Sequence, residues 1–363
     1  EMAKLAGTII KESVHILQST PPCDFTATAI GSIAKGEATP YSDLEFMFLI
    51  EKKTTDIEQY FERLAITVYF LIGNFGETKL SYMAVDELRG WFDDRAKNGF
   101  KIDGLADGAG NIPTGNGTPF KHNHFIVTPQ ELAERYQHVL NNPVEEEALR
   151  GDLTAMLAYQ KPFYMYGKTA HQLNDKVSQE TQHLNSNESR REINLNMLLT
   201  DAKKFNFRPS LDLIKNGQNT DVKRELYRYP SILMLDIAIN CQATEVSSWN
   251  SSELLEKKSI IPKDIVSTLQ KTLSIATYIR LSSYLYHDSQ DDRMSVGQRS
   301  TKAKKDSQNS KSAAVNFSQR RWHISTRLFS KMSKSMIPLK TCIAQSEITS
   351  VEDLGKIHVD SDH

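Results

Sequence analysis

The chain has 363 residues, 39% hydrophobic and 25% charged, with 44 Lys and Arg against 45 Asp and Glu. That length and apolar content suit two folded domains, and a net charge of −1 excludes a chain whose whole surface seeks nucleic acid. Cys23, Cys241 and Cys342 lie far apart, which leaves no disulfide framework or CxxC zinc cluster to read and predicts a reducing, cytoplasmic compartment.

Met2 to Leu17 has helical periodicity, with Leu5, Ile9, Ile10, Val14 and Leu17 apolar. Pro21-Pro22 stops it. Phe25 to Ile30 predicts a short strand, and Gly31 to Ser42 a turn-rich connection. Asp43 to Ile50 predicts a second strand in which Leu44, Phe46, Phe48 and Ile50 alternate. Met47 and Leu49 are apolar as well, so both faces of this strand should be covered. Asp56 to Gly73 is an amphipathic helix with Ile57, Phe61, Leu64, Val68 and Leu71 on one face.

Val85 to Asp94 is another helical piece, and Phe100-Lys101-Ile102-Asp103 reads as a third strand. Gly104, Gly108, Gly110, Gly115 and Gly117 then mark a long loop. His124 to Val127 is a last short strand before Thr128-Pro129-Gln130-Glu131, which carries helix-start chemistry: Thr at the N-cap, Pro at N1 and an acid in the first turn. From Gln130 to Tyr286 the pattern is helical almost throughout, for example at Glu145 to Tyr159, Ala170 to Leu184, Ile193 to Phe205, Leu226 to Ile239 and Ile265 to Tyr286. The expected fold is α+β. A small mixed sheet flanked by helices occupies residues 1–130, and an all-helical domain follows over 131–290.

Residues 291–363 form a tail of different character. Asp291 to Asn316 is rich in Ser, Lys, Gln and Asn and predicts disorder. Asp291 to Lys340 carries 12 Lys or Arg against 3 Asp, and Arg320 to Met336 has the spacing of a basic amphipathic helix. No apolar run reaches the roughly 18 residues of a membrane span; Ala65 to Ile72 is the longest candidate. The opening at Glu1 shows no charged and apolar leader, which predicts no signal peptide and suggests a fragment of something longer.

Chemistry concentrates between Ala29 and Phe46. A strand ends in Gly31-Ser32, where a missing Cβ lets backbone amides approach an anion and the Ser32 hydroxyl adds a donor. Asp43 and Glu45 follow, two apart on a strand and so on one face, with Leu44 between them facing the core. Two buried carboxylates side by side are costly unless a cation joins them. Mg²⁺, or Mn²⁺ in its place, is hard, oxygen-seeking and commonly shared with phosphates. A phosphate-cradling turn facing a cation site is equipment for phosphoryl or nucleotidyl transfer.

Gly31-Ser32, a spacer of ten residues and Asp43-Leu44-Glu45 resemble the motif of the DNA polymerase β-like nucleotidyltransferase superfamily. Gly36-Glu37, Pro40 and Ser42-Asp43 are similar to the uridylyltransferases that modify the PII signal protein and to their relatives. Lys35 stands where that family usually has Arg, and Glu45 where Asp is commoner. Both changes keep the charge. The clear match covers about 100 residues; a weaker one, through Leu153 to Gly167 and Asp221-Val-Lys223-Arg224, reaches residue 290.

The resemblance implies in-line attack on the α-phosphorus of a nucleoside triphosphate with release of pyrophosphate. Asp43, Glu45 and a third carboxylate would hold the metal. Asp103 is the choice for the third, with Asp107 and Asp86 as competitors. Gly31, Ser32, Lys35, Ser42, Lys223 and Arg224 would contact the nucleotide. By the PII analogy the acceptor is expected to be a protein, with a small molecule or RNA as the other options; near-neutral charge weighs against RNA. The competing reading is a catalytically inactive nucleotidyltransferase-like module that binds or scaffolds within a larger regulatory protein.

Other features take blander expectations. The loop from Gly104 to Gly117 lacks the Gly-Lys-Ser/Thr ending of a P-loop and reads as a surface connection. His122 and His124 lack a nearby third ligand and read as loop surface. Trp249 is expected to anchor helix packing, and Phe163, Tyr164 and Tyr166 are expected to be core.

Overall fold

The computed structural model describes residues 1–40, 42, 44–73, 126–141, 154–185, 195, 197–203, 220–241, 247–259, 261–287, 292–294, 339–341 and 343. The expected elements at 85–94 and 100–103, the glycine loop, both loop histidines and the helix at 320–336 lie outside these residues. The fold is mixed α+β: a small four-stranded sheet with helices around it. The contacts divide the chain into two compact units. The first comprises Glu1–Ile193, Thr244–Ser251 and Asp288–Gln290; the second comprises Asn194–Ala243, Ser252–His287 and Asp291–His363.

In the first unit, α1 spans Met2–Ile16, β1 Phe25–Ala29, α2 Gly31–Lys35, β2 Phe46–Ile50 and α3 Thr55–Gly73. After these come β3 at Ile126–Val127, α4 at Pro129–Asn141, β4 at Pro162–Tyr166 and α5 at Ala170–Asn185. The sheet order is β3-β2-β1-β4. β1 runs antiparallel to β2, from Phe25 opposite Ile50 to Ala29 opposite Phe46. β2 runs parallel to β3, with Phe48 opposite Ile126.

All five residues of β1 and all five of β2 are buried. Phe46 and Phe48 point opposite to Met47 and Leu49, and all four are 2% exposed or less. Both faces of β2 are therefore covered, as its unbroken apolar run implied. On the Phe48 face the rings of Phe25, Phe48 and Phe61 pack edge-on or tilted, with centroids 4.9 to 5.9 Å apart. Burying three such side chains stabilises by about 2 kcal/mol or more each, which outweighs any single polar contact nearby. Phe61 brings α3 onto this face, α1 packs against α3 and β4, and α5 packs against β1, β2 and β4.

The helical reading of residues 162–166 is corrected. They form β4, antiparallel to β1 at the sheet edge, although Pro162 lies 134 positions after its partner Thr28 in sequence. Proline can open an edge strand because its missing N–H costs no interior ladder bond. The pairing passes from Ala27–Tyr164 to Thr28–Pro162, which leaves Phe163 as the extra residue of a bulge. Phe163 packs edge-on with Phe46, and Tyr164 and Tyr166 lie against Phe25; all three are half-buried on the edge strand, short of the core position expected of them. The bulge also turns the Phe163 carbonyl toward α1 at Gly7, where an added Cβ would collide with it.

The expected start of α4 carries a complete capping box. Glu131 N–H donates to the Thr128 hydroxyl at 3.2 Å, and Thr128 N–H donates to the Glu131 carboxylate at 2.9 Å. Lys53 reaches the Ile126 carbonyl at 3.1 Å and lies 3.3 to 3.4 Å from Glu58 and Glu131. Partly exposed ion pairs contribute about 1 kcal/mol at most, so Lys53 mainly fixes where β3 sits beside β2.

The second unit contains β5 at Thr220–Asp221, a π-helical turn at Lys223–Tyr227, α6 at Arg228–Asn240 and α8 at Lys263–His287; α7 at Ser248–Lys257 begins in the first unit, which holds Ser248–Ser251, and continues in the second from Ser252. Arg293–Met294, β6, pairs with β5. Asp292 accepts from Arg280 Nε at 3.0 Å and from the Tyr284 hydroxyl at 2.6 Å. The Arg280 guanidinium also lies over the Tyr227 ring, 4.8 Å from its centroid. The expected disorder from Asp291 is thus corrected at 292–294: these residues pair with β5 and complete a buried arginine. No helix among the described residues is long and apolar enough to cross a membrane.

Candidate functional site

β1 delivers the chain to Ile30, whose N–H donates to the Glu45 carbonyl at 3.0 Å. That bond sets Glu45 beside the turn that follows. Gly31 has φ +57°, a left-handed conformation that favours glycine, and opens the single helical turn α2. An added Cβ would land on the Glu45 carboxylate, with its Cδ 2.7 Å away. The backbone torsion is what favours glycine here, and the Glu45 carboxylate stands where a Cβ would be.

The N-cap of α2 is Ile30, which has no polar side chain to offer the first amides. The first turn of α2 lies beside the half-buried Glu45 carboxylate. Leu44 is fully buried, as expected, but the strand expected from Asp43 begins only at Phe46, so Glu45 lies just before β2. Asp43 and Asp103 lie outside the described residues. Among the described residues, no group of three or more His, Cys, Asp or Glu side chains is placed to hold a metal ion. The Glu45 carboxylate by itself is a hard oxygen ligand of the kind Mg²⁺ takes.

The loop after α2 is internally bonded. Gly36, at φ +72°, ends the helix, and Glu37 N–H donates to the Ser32 carbonyl at 2.9 Å. Thr39 N–H donates to the Ser42 hydroxyl at 2.8 Å, and Ser42 N–H returns a bond to the Thr39 carbonyl at 2.9 Å. Ser42 is 2% exposed, so its hydroxyl shapes the loop that carries the chain to Leu44 and Glu45.

Lys35 is placed one helical turn after Gly31, with its ammonium 3.5 Å from the Glu37 carboxylate. The Glu37 side chain is wholly buried. It accepts from the Ser248 hydroxyl at 2.6 Å, and that hydroxyl lies 3.3 Å from Tyr159 Oη. Burial, which disfavours the phenolate, pushes Tyr159 up to about 12, so it remains a neutral donor at ordinary pH. Trp249, expected as a packing anchor, donates its indole N–H to the Gly36 carbonyl at 3.2 Å.

Neither Glu37 nor Ser248 is among the site residues that the motif implies. Only Glu37 carried a signal, an acid directly after a helix-ending glycine.

Lys223 and Arg224 belong to the second unit, on its π-helical turn. The Arg224 side chain is 78% exposed and lies 3.6 Å from Asp221, while Arg224 N–H donates to the same carboxylate at 2.9 Å. Asp221 thus caps the turn that presents both basic residues.

No protein-family model matches this chain, and no curated protein matches its sequence.

Proposed function

We propose that this chain is a Mg²⁺-dependent nucleotidyltransferase that moves a nucleoside monophosphate from a nucleoside triphosphate to an acceptor. The observation that carries the reading is the Gly31–Glu45 juxtaposition: a left-handed glycine opening a short helix, with a carboxylate directly against it. A triphosphate on those amides would be repelled by Glu45 unless a cation stood between them. Glu45, with Asp43 and Asp103, would hold that cation, which when bound neutralises charge on the phosphate oxygens.

This chain's own part is positioning. The amides of Gly31 and Ser32 receive the β- and γ-phosphates, and Lys35 adds positive charge one helical turn away. The acceptor oxygen bonds to the α-phosphorus as the α–β bridging P–O bond breaks. Pyrophosphate leaves with the electron pair, and the acceptor proton passes to Asp103. A protein acceptor is the favoured class, by the PII-uridylyltransferase resemblance.

The test is incubation of wild type and Asp43→Ala with each α-labelled nucleoside triphosphate, Mg²⁺ and cell extract. Label on a macromolecule with wild type alone supports transfer and identifies both base and acceptor class. No label, together with no pyrophosphate release on small-molecule acceptors, would favour the inactive binding module.

A further inference from the structure

We propose that Ser248 is a positioning residue for the Gly31–Ser32 turn, acting through the buried carboxylate of Glu37. The inference rests on the reading above for its functional consequence, but its structural content stands apart from it.

The path is short. Ser248 Oγ donates to Glu37 Oε1 at 2.6 Å, and Glu37 N–H donates to the Ser32 carbonyl at 2.9 Å. A fixed Glu37 therefore fixes Ser32. The second oxygen of Glu37 faces Lys35 at 3.5 Å, so the same carboxylate sets the direction of the one basic side chain of α2. Two neighbours of Ser248 grip the preceding residue. Trp249 holds the Gly36 carbonyl at 3.2 Å, and a Cβ on Gly36 would stand 2.8 Å from Ser247 Cβ. Residues 247–249 thus contact both Gly36 and Glu37.

The chemistry explains why a carboxylate is used. The Glu37 side chain and Ser248 are both fully buried. A buried charge persists only where donors surround it. A carboxylate bonded in this way resists displacement more than a neutral acceptor would, because hydrogen bonds to ionised groups are the stronger kind. Tyr159 completes the set by offering its hydroxyl to Ser248, whose own proton is committed to Glu37. A turn meant to receive a highly charged ligand gains from being held before the ligand arrives.

Two measurements on wild type, Ser248→Ala and Tyr159→Phe test this. The first is amide hydrogen exchange of residues 31–37 against β2. Ser248→Ala should speed exchange at 31–37 by about tenfold or more, the loss of one hydrogen bond to a charged group, with β2 unchanged. Tyr159→Phe removes a hydroxyl from the same cluster but leaves the Ser248–Glu37 bond, and should stay near wild type at 31–37. Unchanged exchange at 31–37 in Ser248→Ala overturns the inference. So does a uniform acceleration that includes β2, because that marks a general loss of packing. The second measurement is binding of the α,β-methylene analogue of each nucleoside triphosphate with Mg²⁺. Ser248→Ala should weaken it about tenfold, and equal affinity with wild type overturns the functional consequence. If wild type binds no analogue, the nucleotidyltransferase reading fails, and exchange still decides whether Ser248 positions the turn.

Discussion

The Glu45 carboxylate stands where a β-carbon on Gly31 would have to be. Alanine at position 31 meets two obstacles of unequal weight. The carboxylate is the far end of a flexible side chain and can swing aside. The left-handed φ of +57° cannot be relieved so cheaply, and costs about 1–3 kcal/mol for a residue with a Cβ. Gly31→Ala should therefore fold with reduced stability, measured by urea unfolding, and with Glu45 displaced. Transfer activity should fall by more than the unfolded fraction explains. Full activity in a folded Gly31→Ala would show that the close approach has no functional part.

Asp43→Ala and Glu45→Gln should each abolish Mg²⁺-dependent transfer while leaving the melting temperature of the chain near wild type. A variant of either kind that still turns over nucleoside triphosphate at the wild-type rate would remove that carboxylate from the proposed site.

Gly7→Ala sets two effects against each other. Alanine is better than glycine inside a helix by about 1 kcal/mol. Its Cβ, however, would strike the Phe163 carbonyl, which is backbone held in the β4 bulge. Overpacking of this kind costs about 1–3 kcal/mol, so the clash should win or cancel the gain. Unfolding of Gly7→Ala in urea should show equal or lower stability. A clear stabilisation would mean that α1 can shift away from β4 at no cost.

Asp24 ties the start of β1 to the turn before α5. Its carboxylate accepts from Thr169 N–H at 2.6 Å and from the Thr169 hydroxyl at 2.7 Å. The backbone bond, then the hydroxyl, hold its pKa below the ordinary carboxylate value. A depressed folded value means that this contribution to stability is fully present above the unfolded pKa, about 3.9. It is lost as pH falls through the folded value. The melting temperature of wild type should thus drop more steeply below about pH 4 than that of Asp24→Asn. Parallel curves would show that the Thr169 bonds do not favour the charged form.

Asp292→Ala should strongly destabilise the second unit. It removes the carboxylate partner of Arg280, whose side chain is only 5% exposed. Stranding one member of a buried pair costs about 3–5 kcal/mol. The lower end applies, since Asp292 keeps 20% of its side-chain surface in water. Denaturant unfolding should show the loss. For the same reason, a truncation placed before Asp292 should behave worse than one placed after Met294.

The sequence by itself determined the parts whose cause is local. Alternation and an unbroken apolar run placed β1 and β2, helical periodicity placed α1, α3 and α5, and Thr128 to Glu131 marked the capping box of α4. The Gly31-Ser32 turn and Glu45 stood out because a strand ending in glycine, and acids spaced for one face, are patterns within twenty residues. Tertiary structure decided the rest. Pro162 to Tyr166 is an aromatic run without period two, and it became a strand only because the edge of β1 lay open to its backbone. Ser248 reads as one more serine in a polar stretch until folding brings it 2.6 Å from Glu37, 211 residues away in sequence. The physical reason is common to both. Local signals reflect the conformational preference of a few adjacent residues. Strand partnership and the satisfaction of a buried charge depend on which surfaces lose their water together, and that is set only when the whole chain has packed.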